Sequence, residues 1–204
     1  MRTFVAIPIP PPVQFFIAQK QQQLEALLTS AHLQQTIRWT PPASVHLTLR
    51  FLGETTEQQC QDLQTHLMRL TLAQSSFALS LQEVGGFPTL RAPAIVWLGL
   101  QSTAGALLLL QQQVEAAAQA VGFPAERKAF RPHLTIGRMG RQVASPQVRA
   151  IGQWLTQHLK TTSAPAQAGG TFVVDHLVHL QSQLQPAGPV YTPLQSFNFA
   201  QIGK

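Results

Sequence analysis

The sequence predicts an α+β fold in which two similar lobes, built from antiparallel or mixed sheets and flanking helices, enclose a central groove. Strand-like and helix-like segments follow one another without the regular βα repeat of a parallel barrel. A short motif, His-x-Thr, occurs once in each half of the chain, at His46 and at His133. No linker rich in proline or glycine is long enough to separate independent domains. Residues 1–204 are therefore predicted to form a single domain of two lobes, each of which contributes one motif.

Three of the four predicted helices begin at proline or at a capping threonine, which are residues that favour a helix start. The third helix is expected to end where Gly122 and Pro124 interrupt it. The four helices are predicted over 13–28, from a cap at Thr55 or Thr56 to residue 70, over 104–121 and over 146–159.

The predicted strands are short apolar or alternating runs, several of them rich in β-branched and aromatic residues. Gly85 and Gly86 are expected to end the fourth strand. The strands are predicted over 3–9, 37–39, 45–52, 77–84, 94–100, 130–138, 172–180 and 191–199, and residues 164–170 are predicted to form a loop.

The chain carries a formal net charge of +6 although only 11% of its residues are charged. This basic balance favours an anionic partner, of which phosphate is the obvious candidate. Cations are concentrated around the second motif, at Arg127, Lys128, Arg131, Arg138 and Arg141. Those outside the motif either guide an anionic ligand into the groove or merely keep a loop soluble, and the sequence leaves both interpretations open.

Cys60 is the only cysteine, which excludes an intrachain disulfide and a cysteine-based metal cluster. The apolar run over 4–9 is far too short for a signal-peptide core or a membrane span. We therefore expect a cytoplasmic protein without membrane attachment. We also expect it to be a monomer.

The two His-x-Thr segments have matched neighbours. They read His46-Leu47-Thr48-Leu49 and His133-Leu134-Thr135-Ile136, and each has a glycine at the seventh position after the histidine. On a strand, residues two apart share a face. Each histidine is therefore expected to point with its threonine into a shared cleft, while the aliphatic residues anchor the strand in a core.

This arrangement suits displacement at a phosphodiester without a metal ion. Histidine titrates near neutral pH, so one ring can accept a proton from water while the other donates one to a departing sugar oxygen. The hydroxyls of Thr48 and Thr135 can donate hydrogen bonds to phosphate oxygens, and Arg138 is close enough along the chain to offset phosphate charge. The surrounding cations favour His133 as the base.

The remaining ionisable residues do not indicate a metal site. His32, His66 and His158 lie among polar residues and are expected to face solvent. His176 and His179 are three apart on a predicted strand, so they point to opposite faces and are not expected to bind one metal ion. The sequence has neither a carboxylate cluster beside them nor a Walker-type glycine loop. No metal ion and no cofactor is therefore expected.

Further segments around the two motifs carry a family resemblance. They are Arg38-Trp39, Pro41-Pro42, Phe51-Leu52-Gly53, Gly86-Phe87-Pro88, Phe130-Arg131-Pro132, Ser182, Gly188-Pro189 and Tyr191. Together with the motifs they resemble the 2H phosphoesterase superfamily. The more specific resemblance is to the bacterial and archaeal RNA 2′,3′-cyclic phosphodiesterases, historically called 2′-5′ RNA ligases, and it runs over nearly the whole chain. Gly137 departs from the pattern, because the family usually has alanine there.

The resemblance implies two α+β lobes around a groove and the hydrolysis of a terminal 2′,3′-cyclic phosphate on RNA to a 2′-phosphate. It implies that Thr48 and Thr135 hold the phosphate and that Arg138 contacts it. Phe51 takes the pseudo-symmetric place of Arg138, where it either stacks on the terminal base or packs as an ordinary apolar residue. The reverse reaction, which joins a cyclic phosphate to a 5′-hydroxyl, is implied as a secondary activity.

Two alternatives stay open on the sequence alone. The first is a phosphodiesterase that acts on another small cyclic phosphate, such as that of a small nucleotide or ADP-ribose. The second is a module that binds RNA ends or nucleotides without turnover. A binding module needs cations and aromatic residues, but it has no need for two titratable residues in matched places.

Overall fold

The computed structural model describes residues 1–140, 142–159, 170–186 and 188–200. Within these ranges the chain forms nine strands, four α-helices and two short 3-10 helices at Pro42–Ser44 and Thr103–Gly105. In chain order the elements are β1 (Arg2–Pro8), α1 (Pro11–Ser30), β2 (Ile37–Trp39), β3 (His46–Glu54), α2 (Glu57–Leu72), β4 (Phe77–Thr89), β5 (Ala92–Ser102), α3 (Ala106–Ala120), β6 (His133–Met139), α4 (Ser145–Leu159), β7 (Thr171–Val174), β8 (His176–Gln185) and β9 (Gly188–Asn198).

The strands form two sheets, each built from segments that are far apart in the sequence. The first sheet has the order β3-β1-β8-β9 and the second has the order β2-β6-β5-β4-β7. All neighbouring strands in them are antiparallel. Helix α3 packs against β3, α4 against β5, and α2 against both α3 and β9. The predicted α+β architecture is confirmed, and each sheet contains one of the two motif strands, β3 or β6.

A continuous aliphatic core joins the helices to the sheets. Leu63 and Leu67 on α2, Leu110 and Val114 on α3, and Ile151 on α4 are fully buried within it. Burial of this apolar surface is the main free-energy term that holds the helices on the sheets. None of the described helices is long and apolar enough to cross a membrane.

The single strand predicted over 172–180 is wrong, because the chain changes sheets at Asp175. Phe172 and Val174 are buried in β7, which pairs with β4 in the second sheet. The chain then forms β8, which pairs with β1 in the first sheet. The carbonyl of Asp175 accepts a hydrogen bond of 2.7 Å from the backbone N–H of Phe199. The crossing point between the sheets is therefore fixed by the residue that follows β9.

The sequence predicted that Gly85 and Gly86 end β4. This prediction is wrong, because the strand runs on to Thr89. The indole of Trp97, on the neighbouring strand β5, lies directly over Gly85. A Cβ atom at Gly85 would lie 2.2 Å from that ring, well inside contact distance. Glycine at this position therefore permits close packing of the indole on the strand and does not mark a turn.

Local backbone and capping interactions set the first residues of helices α2 and α3. The side chain of Thr56 accepts a hydrogen bond from the backbone N–H of Gln59, whose side chain accepts one from the backbone of Thr56. This capping box confirms the predicted start of α2. Helix α3 begins later than predicted, since Ala104 and Gly105 have left-handed φ values of 52° and 70°.

Most of the predicted loop over 164–170 lies outside the described residues.

His179 on β8 is a fully buried histidine within the first sheet. Its Nδ1 lies 3.4 Å from the side-chain nitrogen of Gln64, and its Nε2 has no hydrogen-bond partner among the described residues. Burial disfavours the charged ring and lowers the pKa of His179 from 6.5 to about 4. This ring is therefore neutral in the folded protein at neutral pH.

We expect acid to destabilise the protein through His179. Between pH 6.5 and pH 4 the unfolded chain binds a proton at this ring and the folded protein does not. The free energy of unfolding should therefore fall by about 3 kcal/mol across this range, and the ring should contribute no pH dependence above it. Urea unfolding of His179→Leu should show a shallower loss of stability below pH 6.5 than the wild type. An equally steep loss in the variant would contradict this assignment.

Candidate active site

A cavity of about 570 Å³ lies between the two sheets. Strands β1, β3, β8 and β9 of the first sheet line it together with β2 and β6 of the second. The residues that the sequence singled out all line it, namely His46, Thr48, Phe51, His133, Thr135 and Arg138. The structure therefore brings the two motifs together in one groove.

The alternation within each motif positions its side chains. Leu47 and Leu49 are 1% and 3% exposed, and Leu134 and Ile136 are fully buried, so these residues hold β3 and β6 in the core. The histidine and threonine between them face the opposite side, which is the cavity. Each motif thus anchors its own strand while it contributes two polar side chains to the groove.

A β-bulge in each motif strand adds a third residue to the cavity face. In the pairing of β1 with β3, Leu49 has no partner, and in the pairing of β5 with β6, Ile136 has none. An extra residue reverses the alternation of side chains that follow it. The residue five positions after each histidine consequently faces the cavity. This residue is Phe51 on β3 and Arg138 on β6.

A backbone carbonyl fixes the orientation of each histidine ring. Nδ1 of His46 lies 2.9 Å from the carbonyl oxygen of Ser44, and Nδ1 of His133 lies 2.7 Å from that of Arg131. A carbonyl only accepts, so Nδ1 of each ring must carry a proton and donate it. In the neutral ring this leaves Nε2 as the nitrogen with the free lone pair. Both rings are therefore prepared to exchange a proton through Nε2.

Aromatic rings pack against both histidines. The ring centroid of His46 lies 4.8 Å from that of Phe4 and 4.9 Å from that of Tyr191, which it meets edge to face. The ring of His133 meets Phe87 edge to face at 4.9 Å. These contacts restrict both rings to the orientation that the carbonyl bonds select.

Burial lowers the pKa of His46 from its ordinary value. The positive charges of Arg138 and of protonated His133 act in the same direction, whereas the hydrogen bond to the Ser44 carbonyl opposes them. Repulsion between the two rings disfavours a doubly protonated pair. The sequence favoured His133 as the base, whereas the burial of His46 favours the neutral, proton-accepting form at this position.

The cavity wall is basic. Arg2, Arg38 and Arg138 line it, and no aspartate or glutamate does so among the described residues. None of the three forms an ion pair within the described part of the chain. The other cations near the second motif are placed differently: Arg127, Lys128 and Arg131 are exposed and do not line the cavity, and Arg141 lies outside the described residues. The charge that faces the groove therefore comes mainly from arginines distant in the sequence.

Trp39 forms part of the wall next to the second motif strand. Its Nε1 donates a hydrogen bond of 2.9 Å to the carboxylate of Glu25. Its ring lies over Gly137, where a Cβ atom would come within 3.0 Å of the indole and within 2.6 Å of the Ile37 side chain. An alanine at position 137 would therefore require Ile37 or Trp39 to shift. Glycine at position 137 therefore permits the close packing of Ile37 and Trp39 on β6.

Arg2, Ser182 and Tyr191 also line the cavity, although the motifs gave no indication of a role for them. Ser182 and Tyr191 contributed only to the family resemblance. Arg2 adjoins the first predicted strand and had no signal of its own. These side chains reach the groove because β1, β8 and β9 are neighbours in the first sheet, a pairing that the sequence pattern does not specify.

The described residues contain no cluster of three or more histidine, cysteine, aspartate or glutamate side chains arranged to hold a metal ion. His176 is half-buried, with its Nδ1 at 2.6 Å from the carboxylate of Asp175. His179, three residues further on, is buried. The two histidines therefore have separate surroundings.

Known proteins resemble this chain over most of its length. Residues 16–185 match the 2′-5′ RNA ligase superfamily. The chain is 28% identical to a protein named RNA 2′,3′-cyclic phosphodiesterase from Archaeoglobus fulgidus, over 97% of this chain and 99% of that protein. It is 30% identical to a protein of the same name from Thermus thermophilus, over 97% of this chain and 90% of that protein.

Solved structures have the same fold. The crystal structure of TT0787 of Thermus thermophilus aligns with a TM-score of 0.76 at 25% identity, and the alignment covers all of both chains. The crystal structure of E. coli LigT complexed with 3′-AMP aligns with a TM-score of 0.72 at 24% identity, over 98% of each chain. Because the match covers residues 16–185 and one relative is 30% identical over 97% of this chain, the chain belongs to the 2′-5′ RNA ligase superfamily.

Proposed function

We propose that this protein hydrolyses the terminal 2′,3′-cyclic phosphate of RNA to a 2′-phosphate by acid–base catalysis that uses two histidines and no metal ion. The observation that carries the proposal is the placement of His46 and His133 in one cavity. Each lies beside a threonine, and each has its Nδ1 bound to a backbone carbonyl. The relatives named RNA 2′,3′-cyclic phosphodiesterase support the substrate class.

The reaction proceeds in one displacement at phosphorus. A water oxygen attacks the phosphorus in line with the bond to the sugar O3′ oxygen. One histidine accepts the water proton at Nε2, and the other donates a proton from Nε2 to O3′ as the P–O3′ bond breaks. The products are a 2′-phosphate and a 3′-hydroxyl. Besides the proton on each Nδ1, the two Nε2 atoms together hold one proton before the reaction and one after it, on the other ring.

The remaining groups stabilise the phosphate. The hydroxyls of Thr48 and Thr135 donate hydrogen bonds to its non-bridging oxygens, while the guanidinium of Arg138 offsets its negative charge. The lowered pKa of His46 favours this ring as the acceptor of the water proton, and His133 then acts as the donor. The same groups in reversed roles can join a cyclic phosphate to a 5′-hydroxyl, which we assign as a secondary activity.

The proposal also covers the domain organisation of the protein, its substrate, its location in the cell and its oligomeric state. Both sheets contribute to the cavity, so residues 1–204 would act as one domain. The substrate is an RNA end or an oligonucleotide with a 2′,3′-cyclic phosphate. We propose that the protein works as a cytoplasmic monomer, since each chain contains both histidines.

Loss of either histidine should abolish most of the activity. The assay is hydrolysis of a short RNA that ends in a 2′,3′-cyclic phosphate, with EDTA present. We expect His46→Ala and His133→Ala each to lower kcat by roughly 10²–10⁴-fold, because each removes one of the two proton transfers. The matched control is His66→Ala, which removes a histidine on α2 that does not line the cavity. Full activity in either active-site variant would rule out the shared acid–base roles, and loss of wild-type activity in EDTA would rule out the metal-independent mechanism.

The pH profile should report the charges around His46. We expect a bell-shaped dependence of kcat/KM on pH, with its acidic limb below pH 6.5, because the pKa of His46 is lowered. Arg138→Gln removes one of the positive charges that lower this pKa, so the acidic limb should move to higher pH as the rate falls. An acidic limb that stays in place or moves to lower pH in this variant would show that His46 is not the base.

Phe51 should contribute to substrate binding and little to stability. Its side chain is 42% exposed at the cavity, so ordinary core packing does not account for it. We expect Phe51→Leu to raise KM about tenfold with little change in kcat, because stacking on a base is lost. Phe51→Tyr keeps the ring and should behave as the wild type. A lowered melting temperature with an unchanged KM in Phe51→Leu would instead assign the residue to packing.

A further inference from the structure

Three hydrogen-bond donors form a row across the first sheet, beside the two motifs. Thr3 pairs with Gln181 across β1 and β8, and Ser182 pairs with Tyr191 across β8 and β9. By this register Arg2, Ser182 and Tyr191 follow one another on three adjacent strands. All three line the cavity. They offer a guanidinium, a hydroxyl and a phenol, which together form a set of donors suited to an anion.

Arg2 is held in place but has no ion-pair partner within the described part of the chain. Its guanidinium carbon lies 4.8 Å from the centroid of the Phe51 ring. Glu54, its cross-strand partner on β3, lies 3.6 Å from the amino group of Met1 and forms no ion pair with Arg2. The charge of Arg2 is therefore available to a ligand, and the contact with Phe51 limits the conformations of the side chain.

The row adjoins the histidines. The ring centroid of Tyr191 lies 4.9 Å from that of His46. Burial raises the pKa of the Tyr191 hydroxyl, while the charges of Arg138 and Arg2 oppose that rise, so both guanidinium groups are close enough to act on the phenol. Arg138 and Arg2 therefore extend the positive potential of the reaction centre along the groove. An anion at Arg2 would lie next to the cyclic phosphate, but on separate donors.

The amount of charge exceeds what the reacting group needs. A cyclic phosphodiester carries a single negative charge, whereas three arginines without ion-pair partners among the described residues face the groove, and none of the described lining residues is acidic. The last nucleotide of an RNA carries a second phosphate, which is attached to its O5′ oxygen. A cyclic nucleoside monophosphate lacks it.

We propose that Arg2, Ser182 and Tyr191 form a second phosphate subsite, which binds the phosphate on O5′ of the terminal nucleotide. This inference rests on the proposed hydrolysis of terminal cyclic phosphates and specifies its substrate. The subsite makes the enzyme select ends that carry a 5′-side phosphate over free cyclic mononucleotides. The phosphate is either the diester to the preceding nucleotide or a 5′-monophosphate, and both present at least two non-bridging oxygens to the row.

The test compares kcat/KM for three substrates with the same terminal base: a nucleoside 2′,3′-cyclic phosphate, its 5′-phosphorylated form, and a dinucleotide that ends in the cyclic phosphate. We expect both substrates with the O5′ phosphate to exceed the first by about tenfold to a hundredfold, as one charge-assisted contact allows. In Arg2→Gln this preference should fall to within about threefold. Arg69→Gln, an equal change of charge at an exposed position of α2 that does not line the cavity, should keep the wild-type preference.

A dinucleotide with a neutral methylphosphonate linkage makes the test specific. In the wild type it should react as slowly as the ordinary dinucleotide reacts in Arg2→Gln, and the two changes together should cost no more than either alone. The dependence of log kcat/KM on log salt concentration for the ordinary dinucleotide should also become shallower by about 0.7 in Arg2→Gln. Additive losses, or an unchanged salt dependence, would overturn the subsite.

The outcomes separate the subsite from the activity on which it rests. Equal kcat/KM for all three substrates in the wild type, or equal losses for all three in Arg2→Gln, would overturn the subsite and leave the hydrolysis intact. A preference confined to the dinucleotide would assign the gain to the upstream nucleoside and would also overturn it. No hydrolysis of any substrate by the wild type would overturn the proposed function, and the subsite with it.

Discussion

The buried guanidinium of Arg50 holds the two halves of the site together. It lies on β3 between Thr48 and Phe51, and the bulge turns its side chain, only 6% exposed, away from the groove. Its Nε lies 2.7 Å from the carboxylate of Glu115 on α3, and its Nη1 lies 3.3 Å from that of Glu126. A further donor reaches the carbonyl of Pro124. Segment 121–132, which has no regular secondary structure, leads directly into β6. One cation thus ties the first motif strand to the segment that delivers the second motif, and removing one partner of such a buried ion pair costs about 3–5 kcal/mol.

The proposed reacting groups follow from the sequence, but the walls around them do not. Alternation alone places the histidine and threonine of each motif on one face, because the side-chain period of a strand is two. It does not reveal the bulges at Leu49 and Ile136, since an apolar residue at these positions fits a regular or a bulged strand equally well. The bulge is what turns Phe51 and Arg138 into the groove. The order of the strands cannot be predicted from the alternation either. Arg2 lines the groove only because β1 lies between β3 and β8.

The errors in the predicted elements have a common cause in tertiary packing. Residues 172–180 are mostly apolar on both sides of Asp175 and His176 and contain no glycine or proline, yet the chain leaves one sheet there and joins the other. The glycine at position 85 predicts a strand end, whereas β4 continues to Thr89. The glycine is required because the indole of Trp97 occupies the space where a side chain would lie. Capping signals were more reliable, as at Thr56, because a helix start depends on residues that are adjacent in sequence. Local chemistry is therefore predictable here, and contacts between distant segments are not.

The carbonyls that orient His46 and His133 have a consequence for how the enzyme cycles. Many acid–base histidines are oriented by a carboxylate, whose negative charge stabilises the protonated ring and favours one starting state. A carbonyl fixes the tautomer without adding a net charge. Neither ring is therefore committed to one role by its orienting partner. In the proposed reaction, a pair that ends each turnover with its Nε2 proton on the opposite ring can reset through solvent. The contacts also come from the main chain of Ser44 and Arg131, so side-chain substitutions at those two positions leave the hydrogen-bonding carbonyls in place. Evolution can thus remodel the walls of the groove for new RNA ends while the proposed proton-transfer pair is inherited with the path of the backbone.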